Sequence, residues 1–105
     1  MDFNEKILLK AITVILKERG FEDPKVDTDQ SRVETDYLVH KNFRTKVEAN
    51  VKKISSKERE VTLSVITEEK QGSDWKPKKI LGKEQYEKFF NEIEMQAYRE
   101  LAKGD

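Results

Sequence analysis

The order in which hydrophobic patterns follow one another constrains the fold of this chain most. A segment with helical periodicity over Ile7–Leu16 comes first, then three segments in which apolar and polar residues alternate, then a second helical segment over residues 83–103. A helix must bury one stripe and an alternating strand must bury one face. We therefore predict an α+β fold of order α-β-β-β-(β)-α. It is a two-layer sandwich in which an antiparallel meander of three or four strands carries two helices on one face.

The first helix is unusually apolar for a helix that packs on a sheet alone. We predict that Asp2 caps it, with Glu5 as the capping-box partner, and that Gly20 ends it. Its apolar residues span roughly 220° of a helical wheel. Deep burial between the sheet and the second helix would explain this arc. A contact with another subunit or a partner would also explain it, with Leu9 and Leu16 as contact residues.

The alternation of apolar and polar residues predicts where the strands lie. The clear strands are predicted at Arg32–His40, Phe43–Ile54 and Glu60–Glu69. The turn-rich segment Phe21–Ser31 leaves room for a short edge strand, and Trp75–Leu81 for a fourth strand, which Pro77 confines to an edge. The residues predicted to face the helices are Val33, Thr35, Tyr37, Val39, Phe43, Thr45, Val47, Ala49, Val51, Val61, Leu63 and Val65.

The second helix is predicted to begin near Gly82 and to end at Lys103, with Gly104 as its stop. One stripe is expected to face the sheet, namely Tyr86, Phe89, Phe90, Ile93, Ala97 and Leu101. A small apolar patch then remains outside the core, of the kind that partner proteins contact. It comprises Met95, Tyr98 and Ala102.

The composition of the chain excludes several classes of function but does not identify a particular function. The 105 residues suit a single domain, 1–105, and the 21 basic and 21 acidic residues cancel, which argues against nucleic-acid binding. The basic row Arg44, Lys46 and Lys52 is matched by acidic residues on the neighbouring strands. The chain has no cysteine and one histidine, His40, and no catalytic, metal, phosphate or cofactor motif or membrane-span pattern appears. We therefore predict no enzyme, no metal, no cofactor and no membrane span.

Several short motifs carry a family resemblance. They are KERGF at 17–21, RVETDY at 32–37, RTKVEA at 44–49 and VTLSV at 61–65. Over roughly residues 7–101 the chain resembles the small helix-grip (BamC-like) domains of bacterial envelope lipoproteins. The resemblance implies a non-catalytic binding domain of the cell envelope or periplasm, with a lipid anchor in a longer precursor. A chain with no further N-terminal segment would instead be expected in the cytoplasm.

Three functional hypotheses follow. The first is an interaction module that binds a protein partner or a second copy through the helix layer, with contacts at Met95, Tyr98, Ala102, Leu9 and Leu16. The second is a carrier of a small apolar ligand held between the second helix and the sheet, in a pocket lined by Tyr37, Phe43, Phe89 and Phe90. The third is RNA binding, because double-stranded-RNA-binding domains share the α-β-β-β-α order. Acidic residues offset the lysines at the start of the last helix, which weakens this third hypothesis.

Overall fold

In the part of the chain that the structure describes, there are two helices and six antiparallel strands, which confirms the predicted α+β class. The computed structural model describes residues 2–79 and 81–103. Within them the elements are α1 (Glu5–Glu18), β1 (Lys25–Asp27), β2 (Arg32–Glu34), β3 (Leu38–His40), β4 (Phe43–Lys53), β5 (Arg59–Gln71), β6 (Asp74–Pro77) and α2 (Lys83–Ala102).

The sheet is an antiparallel meander with more strands than the predicted three or four. Its order is β1-β2-β4-β5-β6, and β3 pairs with β4 beyond the end of β2. The long β4–β5 hairpin runs from the pair Phe43–Glu69 to the pair Lys53–Arg59. The predicted fourth strand exists as β6 but ends at Pro77, and position 80 of the predicted span lies outside the described residues. The number of strands exceeds the prediction for two reasons. The edge strand β1 forms, and the predicted strand Arg32–His40 is divided into β2 and β3.

A β-bulge causes that break. Glu34 pairs with Glu48 and Leu38 pairs with Thr45, so three residues, 35–37, oppose two residues, 46 and 47, of β4. Thr35 holds the bulge, because its N–H donates to the Val47 carbonyl at 2.9 Å and its hydroxyl accepts the Val47 N–H at 2.9 Å. The hydroxyl thus takes the place of a main-chain acceptor in the ladder.

The extra residue reverses the faces of the side chains that follow it. Val33 is buried beneath the helices, whereas Val39 is exposed and pairs with Arg44, a residue of the opposite face. The prediction that Tyr37 and Val39 face the helices together with Val33 is therefore wrong. The predicted facing of β4 and β5 is confirmed, since Val47, Ala49 and Val51 are buried and their partners Val65, Leu63 and Val61 pack against the core.

Helix α1 lies between the sheet and α2. It packs against β2 and β4 on one side and along α2 on the other. Seven of its apolar side chains are buried: Ile7, Leu8, Leu9, Ala11, Ile12, Ile15 and Leu16. Internal burial therefore accounts for nearly all of the wide apolar arc, and each fully buried leucine or isoleucine contributes about 1.5–3 kcal/mol. Only Val14 of the arc remains half-buried.

The N-terminal cap of α1 differs from the prediction. Asn4, and not Asp2, caps the helix, and its side chain accepts the Ile7 N–H at 2.8 Å. Phe3 and Leu8 then occupy the positions of a hydrophobic staple, and both belong to the buried core. This gain in apolar burial favours the later start. The predicted stop is confirmed, because Gly20 adopts a φ of 103° that a residue with a side chain rarely takes.

Helix α2 begins after Gly82, as predicted, and the Gln85 side chain accepts the Gly82 N–H at 2.9 Å. Lys103 is its C-cap, and Gly104 lies outside the described residues. The buried stripe is Phe89, Ile93, Gln96, Ala97 and Glu100. Compared with the predicted stripe it is rotated by about 40° on a helical wheel. Leu101, predicted to be in the core, is therefore exposed.

Candidate interaction surfaces

An apolar stripe on the outer side of α2 is the first candidate surface. We call Met95, Tyr98, Leu101 and Ala102 the α2 stripe. The first three side chains are 58%, 60% and 52% exposed, and Ala102 is also exposed. The spacing of three or four residues places them along one side of the helix. The Tyr98 ring meets the buried Phe3 ring edge-on, with 4.8 Å between centroids, so Tyr98 is braced although it is exposed.

A buried carboxylate fixes the rotation of α2 that exposes this stripe. Glu100 is almost fully buried, and its carboxylate lies 3.3 Å from the Lys10 ammonium of α1 and 3.5 Å from that of Lys103. Gln96 donates to the same carboxylate at 2.8 Å. That hydrogen bond, together with the two lysines, holds the pKa of Glu100 below its usual value. Because the charge is compensated inside the helix pair, Glu100 can point inward and Leu101 outward.

The two helices run antiparallel, and their other end is held by a second polar contact. Arg19, at the end of α1, donates to Glu92 of α2 at 3.1 Å. Its guanidinium also lies 4.0 Å from the centroid of the Phe89 ring. A cation over an aromatic face is attracted by the electron density of the ring. Polar contacts at both ends of the pair therefore set the register of α2 on α1.

The second candidate surface is an open groove between α1 and the edge strand β1, which we call the α1–β1 groove. It has a volume of about 780 Å³ and a mainly apolar lining. Leu9, Thr13 and Val14 of α1 form one side, and Val26 and Thr28 form the other. Sequence reasoning missed this groove, because Val26 stands alone among the polar residues 25–31, a stretch that otherwise indicates turns.

A cluster of aromatic and charged side chains lies on the sheet face away from the helices. The Arg44 guanidinium lies 4.1 Å from the ring centroid of Tyr37 and 4.6 Å from that of Trp75, and it donates to Glu68 at 2.7 Å. The Lys46 ammonium lies 4.9 Å from the Tyr37 centroid. The hydrogen bond from Arg44, helped by one from Tyr37 and by Lys46, holds the pKa of Glu68 below its usual value.

This cluster consists of satisfied contacts, as the predicted cross-strand pairing of opposite charges implies. Arg44 and Glu68 are direct partners in the β4–β5 ladder, and so are Lys52 and Glu60. The Trp75 ring packs against the Arg44 guanidinium. Within residues 2–79 and 81–103, no group of three or more acidic or histidine side chains could hold a metal ion. His40 is exposed and pairs with Phe43 in the β3–β4 hairpin.

The residues predicted as sites have different positions. Met95, Tyr98 and Ala102 are exposed together, and Leu9 is buried but borders the α1–β1 groove. Leu16 is fully buried in the core, so its prediction as a partner contact is wrong. The reason is that the sheet on one side of α1 and α2 on the other bury most of its apolar arc, to which Leu16 belongs.

The four aromatic residues predicted to line a ligand pocket do not come together. Phe89 is buried beneath Arg19, whereas Tyr37 lies over Arg44 on the far side of the sheet. Tyr37 also borders a smaller cavity of about 300 Å³ near Gly20 and Phe21. Phe43 and Phe90 are half-buried on the sheet and on α2, respectively. The bulge at residues 35–37 explains the separation, because it turns Tyr37 away from the helices.

Comparisons with protein-family models, with curated proteins and with solved structures find no match to this chain. Neither α1 nor α2, nor any other part of the described chain, forms a helix long and apolar enough to cross a membrane.

Proposed function

We propose that this protein is a non-enzymatic interaction module that binds an apolar-faced helix of a partner protein through the α2 stripe. The observation that carries the proposal is the exposure of Met95, Tyr98 and Leu101 along one side of a helix whose rotation is fixed from within. Exposed apolar side chains at helical spacing are the anchors by which helices recognise one another. Tyrosine suits this role, because it offers a large contact area at a low cost in side-chain entropy.

The electrostatics of the protein support a binding role over a catalytic one. Among the described residues, the carboxyl groups with a shifted pKa are Glu68 and Glu100, and hydrogen bonds and nearby cations lower the pKa of both. Such groups stay ionised at neutral pH, whereas a general acid requires a raised pKa. Both carboxylates thus serve to hold strands or helices together. Following the resemblance to envelope lipoprotein domains, we place the module in the bacterial cell envelope, and fractionation of cells that produce it tests this location.

Site-specific photo-crosslinking in those cells tests the interaction. A photoreactive phenylalanine analogue replaces Tyr98, and Lys88, which is exposed on the same helix outside the stripe, is the matched control site. We expect one discrete adduct from position 98 and none from position 88. The partner, identified by the mass of the adduct and then purified, should bind at least tenfold more weakly to the Tyr98→Ala variant, as expected for a central interface anchor.

Two results would contradict the proposal. Equal crosslinking from positions 98 and 88, or none from either, would mean that the stripe is not a contact surface. An adduct of twice the chain mass would assign the stripe to a homodimer, and light scattering at micromolar concentration would then show the dimer mass.

A further inference from the structure

The α1–β1 groove has the shape of a site for an elongated ligand. Its lining follows one side of α1 from Glu5 to Lys17, twelve residues along the helix. At 1.5 Å per residue this wall is about 18 Å long. The volume of about 780 Å³ lies within the range of small-molecule sites. The opposite wall consists of the three-residue strand β1 and the turn that follows it. This wall is small for a contact with a second protein, so the groove suits a small molecule better.

The groove is apolar along its length and carries an excess of positive charge at its rim. Lys6, Lys10 and Lys17 line it together with a single acidic residue, Glu5. Glu5 is engaged, because it accepts a hydrogen bond from Ser31 at 2.8 Å and lies 3.3 Å from Arg59. Lys10 pairs with Glu100. In the described part of the chain no ion pair occupies Lys6 or Lys17, one near each end of the groove.

We propose that the α1–β1 groove binds a single-chain anionic amphiphile, such as a long-chain carboxylate, with its chain along Leu9, Val14 and Val26 and its head group at Lys17. The chain would cover apolar surface that is open to solvent, and the head group would pair with a lysine that has no ion pair among the described residues. No described residue of α2 lines this groove. The proposal is therefore independent of the α2 stripe, and either can fail without the other.

A titration followed by two-dimensional amide NMR tests the site with three probes. Decanoate is the test ligand. Hexanoate has the same head group on a chain four carbons shorter, and decyltrimethylammonium has the same chain length with the opposite charge. With decanoate in its monomeric range we expect saturable shifts at the amides of Thr13, Val14 and Val26. Hexanoate should bind at least tenfold more weakly, since each methylene that becomes fully buried contributes up to about fourfold in affinity. Decyltrimethylammonium should not saturate the groove.

Two pairs of variants separate the groove from general apolar adsorption. Val26→Glu places a carboxylate in the groove, and Val39→Glu is the matched control in another three-residue strand, the two side chains being 45% and 62% exposed. Lys17→Glu and the α2 control Lys88→Glu form the second pair, and they remain informative if Val26→Glu does not fold. Val26→Glu and Lys17→Glu should each weaken decanoate binding at least tenfold, and the controls should not.

The proposal is overturned if decanoate shifts the α2 stripe instead of the groove, or shifts no residue saturably. It is equally overturned if decyltrimethylammonium binds the groove as tightly as decanoate. Decanoate affinities that are the same in each groove variant and its control would also overturn it.

Discussion

The β-bulge at residues 35–37 makes a quantitative prediction through the hydroxyl of Thr35. The variant Thr35→Val keeps the shape of the side chain but removes the acceptor of the Val47 N–H, which is buried and bonded at 2.9 Å. Leaving a buried donor without a partner costs about 1–3 kcal/mol. The added methyl group recovers less than about 1 kcal/mol of this by apolar burial. We therefore expect a net loss of about 1–2 kcal/mol in the free energy of unfolding.

Urea denaturation followed by far-UV circular dichroism measures this loss. With a denaturant slope of roughly 1–2 kcal/mol/M, the midpoint should fall by about 1 M without a change in slope. Thr62→Val is the matched control, because Thr62 is exposed on β5, and its effect should stay within about 0.5 kcal/mol. Hydrogen exchange adds a local readout: the Val47 amide should lose protection in Thr35→Val and keep it in Thr35→Ser. A Thr35→Val protein that is as stable as the control and still protects Val47 would refute the assigned role of the hydroxyl.

Three further predictions concern the core, the outer sheet face and the helix pair. Leu16→Ala should lower the free energy of unfolding by about 3–5 kcal/mol, because Leu16 is fully buried, whereas Met95→Ala should change it by less than about 0.5 kcal/mol; urea denaturation compares the two. Arg44→Leu removes the cation between two aromatic rings, so it should cost about 1–2 kcal/mol and change the fluorescence of Trp75. The third prediction concerns the dependence of stability on pH and uses the variant Glu100→Gln. The folded-state pKa of Glu100 is lowered, so its charge stabilises the fold fully above the usual value of 4.5, and this contribution is lost as the pH falls through the lowered pKa. Stability measured by urea denaturation from pH 6 downward should therefore fall less steeply in Glu100→Gln than in the parent protein.

Patterns that repeat over many residues were sufficient to predict the main elements. Alternation over β4 and β5 predicted which side chains face the helices, because each strand is long and the opposite face is polar except at Ile66. The end of α1 at Gly20 also followed from the sequence, since few other residues adopt a positive φ. The start of α1 did not, because Asp2 and Asn4 are equally good caps and the burial of Phe3 decides between them.

The bulge could not be predicted from alternation, and its consequences for the candidate sites are large. Val33, Thr35, Tyr37 and Val39 alternate without interruption, so the pattern indicates one continuous strand. Only the pairing with β4 reveals the extra residue, since the bond from Val47 to the Thr35 hydroxyl is a contact between residues twelve positions apart. One inserted residue is enough to move Tyr37 to the other face of the sheet, so the four aromatic residues predicted to line a ligand pocket do not come together.

The rotation of α2 is the departure from simple expectation that bears most directly on function. Hydrophobic preference would bury Leu101 and expose Glu100, and the protein does the reverse. Replacing a buried charge pair by apolar packing is often neutral or stabilising, so this arrangement is not explained by stability alone. The consequence of this rotation is that Leu101 is exposed next to Tyr98 and Met95. The ion pair between Lys10 and Glu100 holds α2 in this position on α1. Natural sequences depart from local rules mostly at sites that serve function. The inward orientation of Glu100 and the outward orientation of Leu101 therefore follow from the same rotation of α2, and together they support our proposal that the α2 stripe binds a partner.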